Sequence, residues 1–139
     1  MATDNDAAAS TRVLCVDDSI TFRAALRLAF ANWPNIVVVE SPTKALAQAL
    51  AAVRKADPWE VFVIDIVMEP FDGVELSRRL RSMRAYQSTP IILLSGLDDL
   101  SRFEVAARAL GAQLVSKDRQ TGAQLVRLIS NVKRSPFHS

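Results

Sequence analysis

Five short apolar runs, each followed by a longer stretch with apolar residues at helical spacing, constrain the fold of this chain most strongly. The runs lie at residues 13–16, 36–39, 61–64, 91–94 and 114–116. They are largely apolar on both faces instead of alternating with polar residues, which is typical of parallel strands covered by helices on both sides. The pattern therefore predicts five βα units in one α/β domain.

Helix start and stop signals occupy the intervals between these runs. Ser19 suits an N-cap, Pro42 suits a first helical turn, and Gly111 is a C-terminal stop signal. We expect helices over about residues 20–32, 42–55, 74–84 and 97–110, and a last helix through residues 125–132. Because right-handed crossovers leave few arrangements, we expect a flavodoxin-like, doubly wound three-layer sandwich with a parallel sheet in the order 2-1-3-4-5.

The composition favours a folded protein outside the membrane. Half of the 139 residues are apolar, but no uninterrupted apolar stretch approaches the ~18 residues that a membrane helix needs. Residues 1–10 lack the basic start and apolar core of a secretion signal, so we expect a cytoplasmic location. Residues 1–10 and 134–139 read as flexible tails around a domain over residues 11–133. The single cysteine, Cys15, is expected to be buried and inert.

The charge of the chain does not indicate a nucleic-acid partner. A net charge of +2 is too small to imply one by itself. Positive charge does concentrate at four arginines, namely Arg78, Arg79, Arg81 and Arg84. On a helix these side chains would spread around the outer face, so we interpret them as a solvated face and not as a phosphate-binding patch.

Polar side chains follow each of the five predicted strands, although Glu40, after the second, falls at the far edge of the sheet. Asp17 and Asp18 come after the first strand and Asp65 after the third, while Ser95 follows the fourth and Lys117 the fifth. In an open α/β sheet the carboxyl ends of the strands share one edge, where ligands bind. Each residue taken singly is equally typical of a helix cap, a turn or a surface lysine. Together they predict an acid cluster that suits Mg²⁺, beside a hydroxyl and an ammonium that suit a phosphoryl group.

At these positions the sequence resembles the receiver domain of bacterial two-component response regulators, of the single-domain type. The resemblance extends from about residue 12 to residue 133. The matching segments are residues 16–19 with Arg23, 65–68 with 72–73, 94–96, and 111–112 leading to Lys117. No single segment is specific, but their order and spacing in combination are highly specific.

The resemblance implies a role for each residue of the cluster. Asp65 would accept a phosphoryl group from a sensor histidine kinase or a phosphotransfer protein, and the Ser95 hydroxyl and Lys117 ammonium would bind its oxygens. Mg²⁺ would be held by Asp17, Asp18, Asp65 and the backbone carbonyl of Val67. The resemblance also implies that such a domain is not an enzyme beyond its own phosphorylation and hydrolysis.

Output is expected through protein contacts, because no DNA-binding or catalytic domain fits after residue 133. The family implies a downstream protein target that binds the face formed by the fourth helix, fifth strand and last helix. Its expected members are Arg102, Phe103, Leu114 and Arg127. The family also allows a weak homodimer.

The chain departs from the family pattern at three positions. Glu69 stands where the family usually has proline, with Pro70 one residue later, and this places another acid near the site. Asp118 stands where proline usually follows the lysine, so a cis bond there is in question. Leu114 replaces the aromatic switch residue, and the segment over residues 111–117 is one residue short.

Two alternatives remain open at the level of sequence. The departures leave room for a receiver-like module that works by binding alone, without phosphorylation. A phosphatase of the haloacid dehalogenase type would also use a strand-end aspartate and Mg²⁺. Such enzymes have a second acid two residues after the first for acid–base catalysis, whereas this chain has Val67 there.

Overall fold

The computed structural model describes residues 8–132, which form five strands that alternate with five α-helices. The strands are β1 (Val13–Val16), β2 (Ile36–Val39), β3 (Val61–Asp65), β4 (Ile91–Ser95) and β5 (Gln113–Ser116). The helices are α1 (Ile20–Ala29), α2 (Pro42–Arg54), α3 (Gly73–Arg81), α4 (Leu100–Ala109) and α5 (Thr121–Val132). Short 3₁₀ turns cover Arg84–Tyr86 and Leu97–Asp99.

The five strands form one parallel sheet in the order β2-β1-β3-β4-β5. This confirms the flavodoxin-like order predicted from the sequence. Because β1 and β3 are neighbours at the centre, the chain adds β2 on one side of β1 and the later strands on the other side. The switch point therefore lies where β1 and β3 end, which is where this class of fold binds ligands.

Helices cover both faces of the sheet, and each face has its own apolar core. One core lies beneath α2, α3 and α4 and includes Leu14, Phe62, Ile64 and Leu93. The other lies beneath α1 and α5 and includes Cys15, whose side chain is fully buried. Successive strand residues point to opposite faces, so strands buried on both sides must be apolar at every position. This is why the apolar runs in the sequence do not alternate.

Capping side chains fix where three helices begin. Ser19 Oγ accepts a hydrogen bond from the Phe22 amide, and Ser41 Oγ accepts one from the Lys44 amide. Asp72 Oδ1 accepts from the Glu75 amide at 2.8 Å, so α3 begins at Gly73, one residue earlier than predicted. Each bond satisfies one of the backbone donors that a first helical turn leaves free.

The ends of the helices differ more from the predictions than their starts. α1 ends at Ala29 although residues up to 32 were expected to be helical, and α3 ends at Arg81 instead of residue 84. The stretch predicted as one helix over residues 97–110 divides into the turn Leu97–Asp99 and α4. Gly111 has a φ of 63°, the left-handed conformation that ends a helix, as predicted.

Arg81 is not part of a solvated face, which corrects the prediction for one of the four arginines. Its guanidinium donates hydrogen bonds to the carbonyl oxygens of Tyr86, Thr89 and Leu110 at 2.6–2.9 Å. Thr89 and Leu110 lie just before β4 and β5, so the contacts hold the amino ends of these strands to the end of α3. Burial lowers the pKa of Arg81, but a guanidinium remains charged at neutral pH.

The chain ends are described only in part. The predicted C-terminal tail, residues 134–139, lies outside the described residues, as do residues 1–7 of the predicted N-terminal tail. Of the rest of that tail, Ala8 is buried, and the Ser10 carbonyl accepts a hydrogen bond from the Asn35 side chain at 2.8 Å. Among residues 8–132, no helix has the length and apolar character needed to cross a bilayer.

Candidate functional site

The carboxyl edge of the sheet gathers the polar residues that follow the strands. Asp17 and Asp18 follow β1, Asp65 is the last residue of β3, and Ser95 is the last residue of β4. Lys117 directly follows β5, and its amide donates to the Ser95 carbonyl at 2.7 Å. Parallel strands in register bring these positions to one rim.

Three carboxylates form a tight cluster at this rim. Asp17, Asp18 and Asp65 each offer one oxygen, and the three oxygens lie within 4.8 Å of one another. Asp17 and Asp65 are buried, whereas Asp18 is exposed. Glu69, which the sequence places nearby, is exposed and does not belong to this cluster.

One ammonium faces the two buried carboxylates. Lys117 Nζ lies 2.7 Å from Asp17 Oδ2 and 3.3 Å from Asp65 Oδ2. A single positive charge does not balance three carboxylates, so the rim keeps a net negative charge when all of them are ionised. Such an arrangement raises the free energy of the ionised cluster unless another cation joins it.

The pKa of Asp65 reflects its burial and, second, this imbalance of charge. Burial of the side chain, followed by the nearby charge of Asp17, raises its pKa from 3.8 to about 6. The Lys117 ammonium acts in the opposite direction but does not cancel these two effects.

Burial and the charge of Asp17 also raise the pKa of the Cys15 thiol far above its usual range, so this cysteine stays protonated.

The donor set fits a hard divalent cation. All three side chains offer oxygen, the ligand type that Mg²⁺ prefers. Asp17 Oδ2 is buried, and the Lys117 ammonium at 2.7 Å is the contact that offsets its charge. That single ammonium is shared with Asp65 Oδ2, so a second cation at the cluster would offset charge that Lys117 leaves unbalanced.

Local hydrogen bonds hold Asp17 in place. Asp17 Oδ1 accepts from the Ser19 amide at 2.8 Å, and the Asp17 carbonyl accepts from Arg23 Nη1 at 2.9 Å. The Asp17 amide donates to the Val39 carbonyl of β2. Arg23 therefore helps to fix the turn that carries two of the three acids.

The end of β3 makes a close backbone contact with Gly73. A Cβ atom at Gly73 would lie 2.3 Å from the carbonyl oxygen of Asp65, a distance that no side chain can adopt. The Gly73 amide also donates to the Ile66 carbonyl at 2.8 Å. Glycine at this position therefore lets the start of α3 pack directly against the backbone of Asp65.

Two predicted site residues lie at the rim without contacting the cluster through their side chains. The Ser95 hydroxyl is buried and donates to the neighbouring Gly96 carbonyl at 3.1 Å. Val67 lies in the loop after β3, and its side chain is 68% exposed. Its exposed apolar side chain occupies the place where a haloacid dehalogenase-type phosphatase would need an acid.

Side-chain hydrogen bonds shape the loop after Lys117, where the family usually has proline. The Asp118 amide donates to Thr121 Oγ1 at 2.7 Å, and Thr121 Oγ1 donates to the Ser116 carbonyl at 3.0 Å. Asp118 Oδ1 accepts from the Gln120 amide. Among residues 8–132 the cis peptide bond is the one between Glu69 and Pro70, not the one after Lys117. Sequence reasoning missed Thr121, although an Asp side chain that accepts from the amide two residues later, as Asp118 does, is a known turn signal.

An aromatic side chain also contacts the site. The Lys117 ammonium lies over the ring of Phe22, 4.4 Å from its centroid. Phe22 is on α1, three residues after the Ser19 cap. Phe22 recurs at helical spacing with Leu26 and Phe30, and this periodicity does not distinguish a core ring from one that faces a cation.

The chain is similar to known proteins over most of its length. A family model described as the response regulator receiver domain matches residues 13–130. A protein-glutamate methylesterase/protein-glutamine glutaminase of Anaeromyxobacter dehalogenans is 33% identical over 131 residues, which cover 88% of this chain and 36% of that protein. A protein of the same description from Cereibacter sphaeroides is 37% identical, covering 76% of this chain and 27% of that protein. The chain thus spans about a third or less of these relatives.

Solved structures share the fold. The chemotaxis response regulator of Vibrio cholerae superposes with a TM-score of 0.72 at 24% identity, covering 86% of this chain and 98% of that one. A mutant receiver domain of an Arabidopsis thaliana histidine kinase has a TM-score of 0.73 at 22% identity and covers 95% of each chain. A signal receiver domain of a Syntrophus aciditrophicus histidine kinase has a TM-score of 0.66 at 26% identity, covering 91% of this chain and 96% of that one.

Proposed function

This chain belongs to the response regulator receiver domain family of two-component signalling, and from that premise we propose that Asp65 is its phosphoryl acceptor. The observation that carries the proposal is the convergence of Asp17, Asp18 and Asp65 within 4.8 Å at the end of β3, with Lys117 in contact with two of them. Asp65 is the member of this cluster that ends the central strand.

The transfer needs the ionised carboxylate of Asp65 as nucleophile. One of its oxygens bonds to the phosphorus of a phosphohistidine, the phosphorus–nitrogen bond of the donor breaks, and the leaving imidazole takes a proton from water. Phosphoryl transfer depends mostly on positioning and charge neutralisation, and little on covalent chemistry by the protein. A raised pKa of about 6 still leaves Asp65 mainly ionised at neutral pH.

The other residues at the rim supply positioning and charge. Asp17, Asp18 and Asp65, with the backbone carbonyl of Val67, are the groups that we propose hold Mg²⁺. When bound there, Mg²⁺ offsets the negative charge of the carboxylates and of the phosphoryl oxygens. The Lys117 ammonium binds a phosphoryl oxygen from the side of β5, and the Ser95 hydroxyl gives up its bond to Gly96 to bind another.

Receiver domains interact with histidine kinases and with downstream targets, and we propose both kinds of partner for this chain. The donor is a sensor histidine kinase or a phosphotransfer protein. The target binds the surface of α4, β5 and α5, where Arg102 and Arg127 are exposed and Phe103 and Leu114 are half-buried. Phosphorylation places a dianion at the ends of β3 to β5, beside this surface, so a local charge event can reach it.

The test is phosphorylation by a small acyl phosphate in the presence of Mg²⁺, followed by intact-mass measurement. We expect the wild type to gain the mass of one phosphoryl group and Asp65→Asn to gain none. Asp57→Asn is the matched control, since Asp57 is an exposed carboxylate paired with Arg12 at the opposite end of the sheet. We expect this control to behave like the wild type.

Two results would overturn the assignment. An adduct that persists in Asp65→Asn would place the acceptor elsewhere. No adduct in the wild type, either from the acyl phosphate or from a phosphorylated kinase, would favour a module that acts by binding alone.

A further inference from the structure

The ammonium of Lys117 has an aromatic neighbour as well as two carboxylate neighbours. Its Nζ lies 4.4 Å from the centroid of the Phe22 ring, where the quadrupole of an aromatic face attracts a cation. We propose that Phe22 is a positioning residue, which holds the Lys117 ammonium at the rim so that it meets the oxygens of an incoming phosphoryl group. This inference rests on the proposed phosphoryl acceptance by Asp65.

Lys117 needs such a neighbour because a lysine side chain is flexible. Its ammonium is a strongly hydrated charge on a four-carbon stem, with no rigid geometry of its own. The side chain of Lys117 remains 22% exposed, so water competes for the ammonium. A ring packed against one side of the ammonium restricts the orientations that it can take.

The ring acts differently from the two carboxylates. Asp17 and Asp65 hold the ammonium by opposite charge, at 2.7 and 3.3 Å. This attraction weakens when a divalent cation or a phosphoryl group changes the charge at the carboxylates. The ring of Phe22 is neutral and keeps its attraction in every charge state of the site. It is therefore the contact that can hold Lys117 during the transfer itself.

The local structure fixes the ring relative to the acids. Asp17 Oδ1 accepts from the Ser19 amide, and Ser19 Oγ accepts from the Phe22 amide. Two short hydrogen-bonded steps thus connect the acid cluster to the residue that carries the ring. Phe22 also packs against the apolar core beneath α1 and α5, which limits its movement.

A groove of about 600 Å³ between α1 and α5 is lined by Phe22 and Lys117. Its other lining residues include Ala25, Ala29 and Gly122. The groove leaves space beside the ring, so tyrosine can replace Phe22 and keep the aromatic face. Leucine and methionine keep apolar packing but remove the aromatic face, which makes the three substitutions a matched set.

The first measurement detects the contact without any phosphorylation. A proton above an aromatic face is shifted upfield by the ring current, so NMR of the lysine ε-CH₂ groups reports the stacking. The chain has four lysines, and the signal of Lys117 is assigned by its loss in Lys117→Arg. We expect this signal to lie upfield of the other three in the wild type and in Phe22→Tyr, and to join them in Phe22→Leu and Phe22→Met.

The second measurement is the rate of phosphoryl acceptance from an acyl phosphate at saturating Mg²⁺. We expect Phe22→Leu and Phe22→Met to be about three- to tenfold slower than the wild type, the range that a partly desolvated cation–π contact supports. Phe22→Tyr should restore the rate. Mg²⁺ affinity should stay close to that of the wild type, because no carboxylate has changed.

Trp33→Leu is the control for loss of a ring, because Trp33 packs edge-on against Phe30 beyond the end of α1 that lies away from the rim. We expect its rate of acceptance to equal that of the wild type. A wild-type protein that accepts phosphate at Asp65 but shows no upfield Lys117 signal would overturn the role of Phe22. Equal rates in the wild type and Phe22→Leu would do the same, whereas no acceptance by the wild type would overturn the proposed function instead.

Discussion

Replacement of Asp65 by asparagine should stabilise the protein at neutral pH when no metal is present. Asparagine has nearly the shape of a protonated aspartic acid but carries no charge. The substitution therefore removes the cost of holding an ionised carboxylate in a buried position beside Asp17. It also removes the attraction to Lys117, and the raised pKa of Asp65 shows that the cost is the larger of the two.

The magnitude follows from the pKa. A rise from 3.8 to about 6 corresponds to at most about 3 kcal/mol, since each tenfold change in proton affinity is worth about 1.4 kcal/mol. The rim is open to water on one side, which screens charge, so we expect about 1–2 kcal/mol. In the unfolded chain the carboxyl titrates near 3.8, so the folded protein binds the extra proton between that pH and about 6.

The sign of the pH dependence is fixed by this difference. The stabilising contribution of the protonated carboxyl is complete below the unfolded pKa, and it is lost as the pH rises through about 6. The asparagine variant has no such loss. Its advantage over the wild type should therefore be largest at about pH 7.5 and should shrink at about pH 5.

The assay is urea unfolding in EDTA at both pH values, followed by circular dichroism. Asp57→Asn, which removes an exposed carboxylate, should differ from the wild type by less than about 1 kcal/mol at both. The reasoning is refuted if Asp65→Asn is no more stable than the wild type near pH 7.5. It is also refuted if the difference between the two proteins does not change with pH.

Three further predictions concern metal binding and packing. Mg²⁺ should raise the melting temperature of the wild type, because a hundredfold excess over its Kd adds about 3 kcal/mol to the free energy of unfolding. The melting temperature of Asp65→Asn should rise less. An unchanged melting temperature in the wild type would contradict the metal site. Gly73→Ala should destabilise the fold by about 2 kcal/mol or more, because its Cβ would lie 2.3 Å from the Asp65 carbonyl. Gly96→Ala, with 3.9 Å to its nearest neighbour, should cost less than about 0.5 kcal/mol in the same denaturation assay, and equal losses would refute the contact. Tyr86→Phe should cost about 1–3 kcal/mol by urea unfolding, because the hydroxyl donates to the Ala49 carbonyl and accepts from the Trp59 amide. A variant as stable as the wild type would show that these bonds contribute nothing.

The strands and the acid rim were predictable from the sequence because both depend on local patterns. A strand that is buried on both faces must be apolar at each position, so the uninterrupted apolar run over residues 61–64 predicts a central strand. Once the strand order is inferred, the carboxyl ends of β1 and β3 must meet, and Asp17, Asp18 and Asp65 come together. The prediction therefore needed only periodicity and the handedness of crossovers.

The contacts of Arg81, Tyr86 and Phe22 were not predictable in the same way. Arg81 and Tyr86 bond to backbone carbonyls that are 5 to 37 residues away in sequence. A carbonyl carries no side-chain signal, so the sequence does not mark which one an arginine or a tyrosine will reach. The helix ends were also misplaced by up to three residues, because several stop positions compete there and tertiary packing selects one.

Because of the contacts of Arg81, the two ends of the sheet should differ in rigidity. At the amino ends of β4 and β5, one planar guanidinium binds three backbone carbonyls and joins three segments of chain. At the carboxyl ends, three carboxylates lie within 4.8 Å of one another and repel when ionised. Amide hydrogens should therefore exchange faster near the acids than near Arg81. When charge is added at the acid cluster, the loops at the carboxyl ends of the strands should move. The amino ends of β4 and β5, which Arg81 binds, should keep their positions.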